Sequence, residues 1–408
     1  MTASSAVEFL IWLLIAASLI AIVAKRLRIP YTAALVVGGV LLSLLPLHVI
    51  SPLDPGQRPH WLTPDVILIL FLPALVFEGS VKLNVRDLLR DWAPLLLLAN
   101  VGVLIATLVC GYVVHWTVGL PLIVALVFGA IISATDPISV LALFRDWHTD
   151  KRLSLLMEAE SLLNDGTAAV LFQIMLVDFM VGHLDLLHGI REFLVSVTGG
   201  VCLGAFLAYA ASRITRRIDD PQIEITLTTL VAYGSYLLAY HLHLSGILAT
   251  ATAGLVVGNV GKHGMGPQTR AALHAFWEYL AFVMNSLIFL LIGLEVHINS
   301  LVRSWRVVLI AVAAVLLGRG LSVYLLVPIS NAFAEKISLR WQHVIFWGGL
   351  RGALALALAL SLDNRFPDRA LLLDLTFGVV IFSILVQALT IKPLLRLLGL
   401  GVTSERTG

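Results

Sequence analysis

Five ionisable residues sit where charge is out of place. Glu78 lies in FLPALVFEGS, Asp136 in SATDP, Glu160 and Asp165 in MEAESLLNDGTAAV, and Arg351 in WGGLRGALA, all within long apolar runs. Insertion scales assign about 2.5–3.5 kcal/mol to such a group at mid-bilayer, so each is a functional candidate by default. Spacing sharpens the case. Ser161 and Asp165 are four apart, as are Glu160 and Asn164, so each pair shares one face of a helix turn. One helix therefore offers two carboxylates, a hydroxyl and an amide within a turn or so. These are hard oxygen donors, suited to a dehydrated hard cation and unsuited to soft metals. No HExxH or helical histidine pair suggests zinc. G-x-S-x-G is absent and the aspartates lack a G-x-G-D context, which argues against an intramembrane enzyme.

The elements that must hold these residues are membrane helices. Of 408 residues, 59% are hydrophobic and 13% charged, with mean hydropathy +0.96. Soluble domains carry about 25% charged residues, so too little polar surface remains to cover a water-soluble globule. A bilayer needs roughly 20 apolar residues per helix. Apolar runs between polar breaks predict an all-α polytopic protein with spans near 6–24, 31–50, 63–81, 93–117, 121–144, 153–180, 190–212, 222–241, 243–260, 272–297, 304–329, 341–362 and 371–395. With the N-terminus outside, this alternation puts most of the 27 Lys and Arg in cytoplasmic connections. Only Arg58, Arg191, Arg303, Arg306, Arg365 and Arg369 fall in outer ones, while Arg319 and Arg351 lie within spans. The positive-inside rule thus selects N-out, C-in and an odd number of spans in a cell inner membrane. The chain 1–408 reads as one membrane domain, with no cleaved leader and no C-terminal regulatory domain expected.

Two spans look broken. Asp136-Pro137 follows Ser133-Ala134-Thr135, and proline disfavours helix in the residue before it. Gly348, Gly349 and Gly352 flank Arg351, and each glycine weakens a helix by about 1 kcal/mol. G-x-x-x-G alone is a weak signal, since it also occurs at Gly200–Gly204 and Gly254–Gly258. Placement carries more. With repeats at about 1–180 and 222–397 joined by a linker helix near 190–212, the two broken spans correspond. Interruptions at matching positions of two halves point to a transporter's midplane site.

At these residues the chain resembles the monovalent cation/proton antiporter family of bacterial NhaP-type and animal NHE-type sodium/proton exchangers. The matching pieces are FLPALVFEGS, SATDPISV, ESLLNDGTA, GGLRGALALAL and VQALTIKPLL. The resemblance implies a thirteen-helix inverted-repeat fold with two unwound crossing helices. It also implies a homodimer, and a core built from 63–180 and 272–397 moving against a dimerisation domain. It makes Asp165 the carboxylate that binds Na+ or H+ in turn, with Ser161, Glu78 and the backbone at Thr135 completing the Na+ shell. Asn164 would tie the unwound stretches together, and Glu160 would form a structural ion pair with Arg351. Asp136 would be a ligand through water or a cap on a broken helix. Asn164 matches the electroneutral branch, which implies one Na+ for one H+. Burial disfavours a carboxylate's charged form and a bound cation holds it ionised, so ion and proton compete for the same oxygens. Arg351 cannot shed its charge and needs a carboxylate partner.

Exchange of Na+ for H+, with Li+ tolerated, is the expected function; K+/H+ exchange is the alternative. A cation channel fits less well, because the intramembrane polar residues gather at one depth. No cofactor is implied, and no basic patch suggests nucleic acid. Cys110 and Cys202 read as small hydrophobes. Glu278 and Glu295 bracket one span, with Glu295 and His297 interfacial, and His241 and His243 fall at an outer loop. Trp12, Trp61, Trp92, Trp116, Trp305 and Trp341 lie near helix ends as an aromatic belt would. No partner for Arg319 is legible.

Overall fold

The structure, a computed structural model, describes residues 3–27, 29–44, 64–147, 149–182, 186–216, 218, 220–261, 264–296 and 298–400. Arg28, Arg58, Trp61, Arg217, Lys262, His297 and Arg406 lie outside the described residues. The described chain is helical throughout, without strands. In the first half come α1 (Ala3–Leu27), α2 (Tyr31–Leu44), α3 (Pro64–Lys82), α4 (Val85–Arg90), α5 (Trp92–Leu96), α6 (Val103–Val118), α7 (Leu122–Ser133), α8 (Ile138–Asp146) and α9 (Lys151–Val181). The long α10 (Leu186–Thr215) leads into α11 (Pro221–His241), α12 (Gly246–Asn259) and α13 (Pro267–Glu295). Then follow α14 (Ile298–Arg303), α15 (Trp305–Ser330), α16 (Leu339–Gly348), α17 (Ala353–Leu360), α18 (Arg369–Phe382) and α19 (Ala388–Leu397).

By length and composition, nine helices among the described residues can cross a bilayer; Tyr31–Leu44 and Gly246–Asn259 are shorter apolar helices. Their outward faces are apolar too. Val7, Ile11, Ile15, Leu19 and Ile22 on α1, and Ile190, Leu194, Val201 and Phe206 on α10, are all exposed. Apolar surface of that extent suits lipid or another protein rather than water. Cys110 is buried on α6 and Cys202 exposed on α10.

Local signals set the boundaries. Asp150 caps α9 by accepting from the Arg152 amide at 2.8 Å, and Gly182, in the left-handed region at φ +85°, ends it. Asp220 caps α11 ahead of Pro221 at its first turn. The G-x-x-x-G pairs at 200–204 and 254–258 are packing contacts. A Cβ on Gly204 would come within 2.0 Å of the Ala249 carbonyl oxygen, and one on Gly258 within 2.1 Å of that of Val81.

Ala74, Phe77 and Val81 of α3 share a buried core with Ala208, Val231, Ala253, Val257 and Trp277 of α10–α13. The helices that surround the chain breaks, α5 to α9 and α15 to α19, pack mainly with each other. Contacts at the helix ends match the charge pattern. Arg152 grips Asp91 (Nη2–Oδ1 2.6 Å, Nε–Oδ2 3.0 Å) and donates to the Glu335 carbonyl at 2.8 Å. Arg90 also pairs with Glu335. Three connections assigned to the cytoplasmic side by their arginines and lysines thus meet at one face of the molecule. Lys392 and Arg396 of α19 lie over the Trp147 ring at 5.3 and 5.2 Å. At the opposite end, Ser300 and Ser304 donate to Asp374 Oδ2 at 2.6 and 3.0 Å.

Candidate ion site at the helix crossing

Both expected breaks occur. Ala134–Pro137 separates α7 from α8, and Gly349–Gly352 separates α16 from α17. The extended stretches meet: the Asp136 amide donates to the Leu350 carbonyl at 2.8 Å. A break leaves carbonyls unpaired at one half-helix end and N–H groups unpaired at the other. Two buried charges satisfy them here. Arg351, 2% exposed, donates from Nη1 to the carbonyls of Ser133 at 2.5 Å and Ala134 at 2.9 Å, capping the C-terminus of α7. Asp136 Oδ1 accepts from the Ile138 amide at 3.0 Å, so it caps the start of α8. Each charge faces the helix end of opposite partial charge. Of the two roles open to Asp136, the geometry realises the cap. Gly352 is required beside it, since a Cβ there would lie 2.2 Å from Asp136 Oδ2.

Helix α9 passes alongside. Its Ser161 hydroxyl donates to the Thr135 carbonyl. Asn164 Oδ1 accepts from the Thr135 amide at 3.2 Å, while Nδ2 donates to Thr135 Oγ1 at 2.6 Å and to Glu160 Oε1 at 3.3 Å. Asn164 is thus the tie between α9 and the first unwound stretch. Asp165, one residue on, faces the same crossing. Its charged neighbours are Asp136, Glu160 and Arg351. Asp165 Oδ1 is buried and accepts no hydrogen bond. An unpaired buried carboxylate oxygen among hydroxyl, amide and carbonyl oxygens can take a proton or a small hard cation.

Two expected contacts are corrected. Glu160 does not pair with Arg351. It pairs with Arg319 of α15, by Nη1–Oε1 at 2.5 Å and Nη2–Oε2 at 2.8 Å, and Arg319 Nη2 also donates to the Ile345 carbonyl at 3.0 Å. The reason is that the open end of α7 already engages Arg351, while the long Arg319 side chain reaches Glu160 from α15. Glu78 is not brought to Asp165 either. Near the end of α3, its carboxylate pairs with Lys82 one turn on, within electrostatic reach of Glu158.

Some participants were not anticipated. Residues Leu97–Gly102, ahead of α6, form a π-helical turn. Asn100 within it accepts from Thr167 Oγ1 at 3.2 Å, and the Gly102 carbonyl accepts from Ser322 at 2.8 Å, tying this turn to α9 and α15. A second π turn, Ser383–Gln387, lets Gln387 Nε2 donate to the Trp347 carbonyl at 3.1 Å and fixes α19 to α16. A lone amide in an apolar run, as Asn100 is in LLLLANVGV, is the signal that marked the first.

Known proteins match along nearly the whole chain. The family model "Sodium/hydrogen exchanger, transmembrane" covers residues 13–397. The Na+/H+ antiporter NhaG of Bacillus atrophaeus is 40% identical over 398 residues, covering 96% of this chain and 75% of the relative. The Na+/H+ antiporter NhaH of Halobacillus dabanensis is 39% identical over 399 residues, covering 97% and 98%. Among solved structures, the sodium proton antiporter MjNhaP1 from Methanocaldococcus jannaschii at pH 8 aligns with a TM-score of 0.79 at 22% identity, covering 98% of this chain and all of that one, a likeness of fold. The chain belongs to the transmembrane sodium/hydrogen exchanger family.

Proposed function

We propose that this protein is a secondary active antiporter exchanging Na+ for H+, with both ions competing for Asp165. The observation that carries this reading is the buried, unpartnered Asp165 Oδ1 at the crossing of two broken helices. Ser161, Thr135 and Asn164 supply the neighbouring oxygens and fix the backbone around the ion. Asp136 and Arg351 hold the half-helix ends in place, and Glu160 with Arg319 anchors α9 to α15. Glu78, at the end of α3, stands on the cytoplasmic approach and outside the ion's shell. Relatives named as Na+/H+ antiporters favour Na+ over K+. Purified protein in liposomes, with Na+, Li+ and K+ presented separately against a proton gradient, is expected to dissipate that gradient with Na+ and to leave it standing with K+. Dissipation by K+ alone overturns the choice of ion.

The architecture completing this reading has thirteen spans, N-terminus outside and C-terminus cytoplasmic, in the cell inner membrane. Helices α5 to α9 and α15 to α19 form the moving core. The remaining helices, with α3 among them because of its shared core with α10–α13, form the stationary part and a homodimer interface.

Exchange is electroneutral in this account. Asp165 carries either Na+ or H+, so the loaded site has the same net charge on both half-cycles. Asn164 cannot titrate, and Arg319, Arg351 and Glu160 keep their charges in salt bridge and cap. An imposed valinomycin–K+ potential, without a pH gradient and after K+ transport has been excluded, should drive no Na+ accumulation into proteoliposomes. Sustained accumulation would assign a second proton-exchanging group to the cycle, with Asp136 and Glu78 the first to test.

A further inference from the structure

The outer half of α9 holds an ionisable cluster that the crossing does not use. Asp178 lies thirteen residues beyond Asp165, about 20 Å along the helix. With Gln173 it lines one wall of a cavity of about 220 Å3. His188, Glu192 and Ser196 of α10 and His243 of the α11–α12 loop line the rest of its polar surface. A smaller cavity, about 40 Å3, shares Gln173 and Val170 with it and reaches Ala169, one turn from Asp165. The two cavities therefore follow α9 inward toward the crossing.

Asp178 is the telling residue. It is only 6% exposed, and among the described residues its carboxylate accepts no hydrogen bond and pairs with no cation. A buried carboxylate without a partner is costly unless something charged reaches it. Ser196, also 6% exposed, adds a hydroxyl, and Glu192 a second carboxylate. His188 and His243 are exposed and stand at the rim. Among the described residues no three His, Cys, Asp or Glu side chains converge to hold a metal ion directly. The cavity is several times the ~30 Å3 of a water molecule, so a cation can sit here with part of its water shell.

We propose that this cavity is a second cation site, an outer docking site that seats a partly hydrated Na+ against Asp178, with protonation of the rim histidines His188 and His243 expelling the ion. The titratable groups facing it are Asp178 on α9, His188 and Glu192 on α10 and His243 on the loop. With neutral imidazoles the two carboxylates leave the cavity negative and attract a cation. Imidazoles switch charge between about pH 5 and pH 8, so acidification adds up to two positive charges and cancels the attraction. An acidic exterior then clears the docking site, favouring release of an outgoing Na+. Only the assignment of this cavity to the outside rests on the antiporter reading; the binding itself does not.

The test uses Asp165→Asn protein, in which the crossing site is disabled, melted in detergent with Na+ replacing choline at fixed ionic strength. At pH 8, Na+ should raise the melting temperature saturably, and Asp178→Asn added to Asp165→Asn should weaken the apparent affinity about tenfold or more. At pH 5.5 the shift should vanish, and His188→Gln with His243→Asn should restore it; asparagine tolerates the left-handed backbone of His243, at φ +56°. No Na+-dependent shift at pH 8, or the same shift with Asp178→Asn present, overturns the proposal. Should Asp178→Asn fail to fold, the histidine variant decides: a shift still absent at pH 5.5 overturns it. Failure of the antiporter reading shows separately, as the absence of Na+/H+ exchange by the wild-type protein in liposomes.

Discussion

Asp165→Asn should reduce Na+/H+ exchange to the leak of protein-free liposomes while the protein stays folded. Asparagine has the same shape, and Asp165 Oδ1 accepts no hydrogen bond that the amide would forfeit. What disappears is the one charge able to alternate between ion and proton. Thermal stability should hold or rise, because an uncompensated buried carboxylate costs free energy. Flux in proteoliposomes and melting in detergent check the two halves. A folded Asp165→Asn protein exchanging near the wild-type rate would move the carrier carboxylate elsewhere.

Arg319→Ala should be the most destabilising single change in the ion-site region. Glu160 is 3% exposed and is held by both Nη atoms of Arg319. A buried ion pair contributes little net stability, but removing one partner strands the other at a cost of about 3–5 kcal/mol. The loss should reach the site as well, since Glu160 Oε1 also accepts from Asn164, which braces Thr135. Glu160→Gln added to Arg319→Ala should recover part of the melting temperature. Added to Arg351→Ala it should not, because Arg351 caps the carbonyls of Ser133 and Ala134 instead. Recovery in the Arg351 background and none in the Arg319 background would reverse the pairing.

That pairing shows where sequence reading stops. The helical spacing of Ser161, Asn164 and Asp165, and the chain breaks at Asp136-Pro137 and around Gly349–Gly352, are local properties of the chain. They were legible because a helix face and a missing N–H are fixed by neighbouring residues. The partner of Glu160 is not a local property. Two arginines lie within spans: Arg351 stands in a glycine-rich break, whereas Arg319 lies in an unbroken apolar helix. The carbonyls exposed by the α7 break compete for a guanidinium, and a charge-pairing argument restricted to carboxylates leaves them out. Glu78 illustrates the same limit. Its motif is distinctive, but its position depends on which helices α3 packs against, and Lys82 at i+4 was a nearer partner in plain view.

The central claim, that Na+ and H+ compete for Asp165, is tested most directly by counting protons. Purified protein carrying His188→Gln and His243→Asn, which removes the outer imidazoles as a proton source, is placed in lightly buffered detergent solution and given Na+ at stepped pH values. Competition predicts release of about one proton per chain over the range where Asp165 is protonated, none with choline, and none once Asp165→Asn is added. Equal release from the Asp165→Asn protein, or none from the protein with Asp165 intact at any pH, would contradict it.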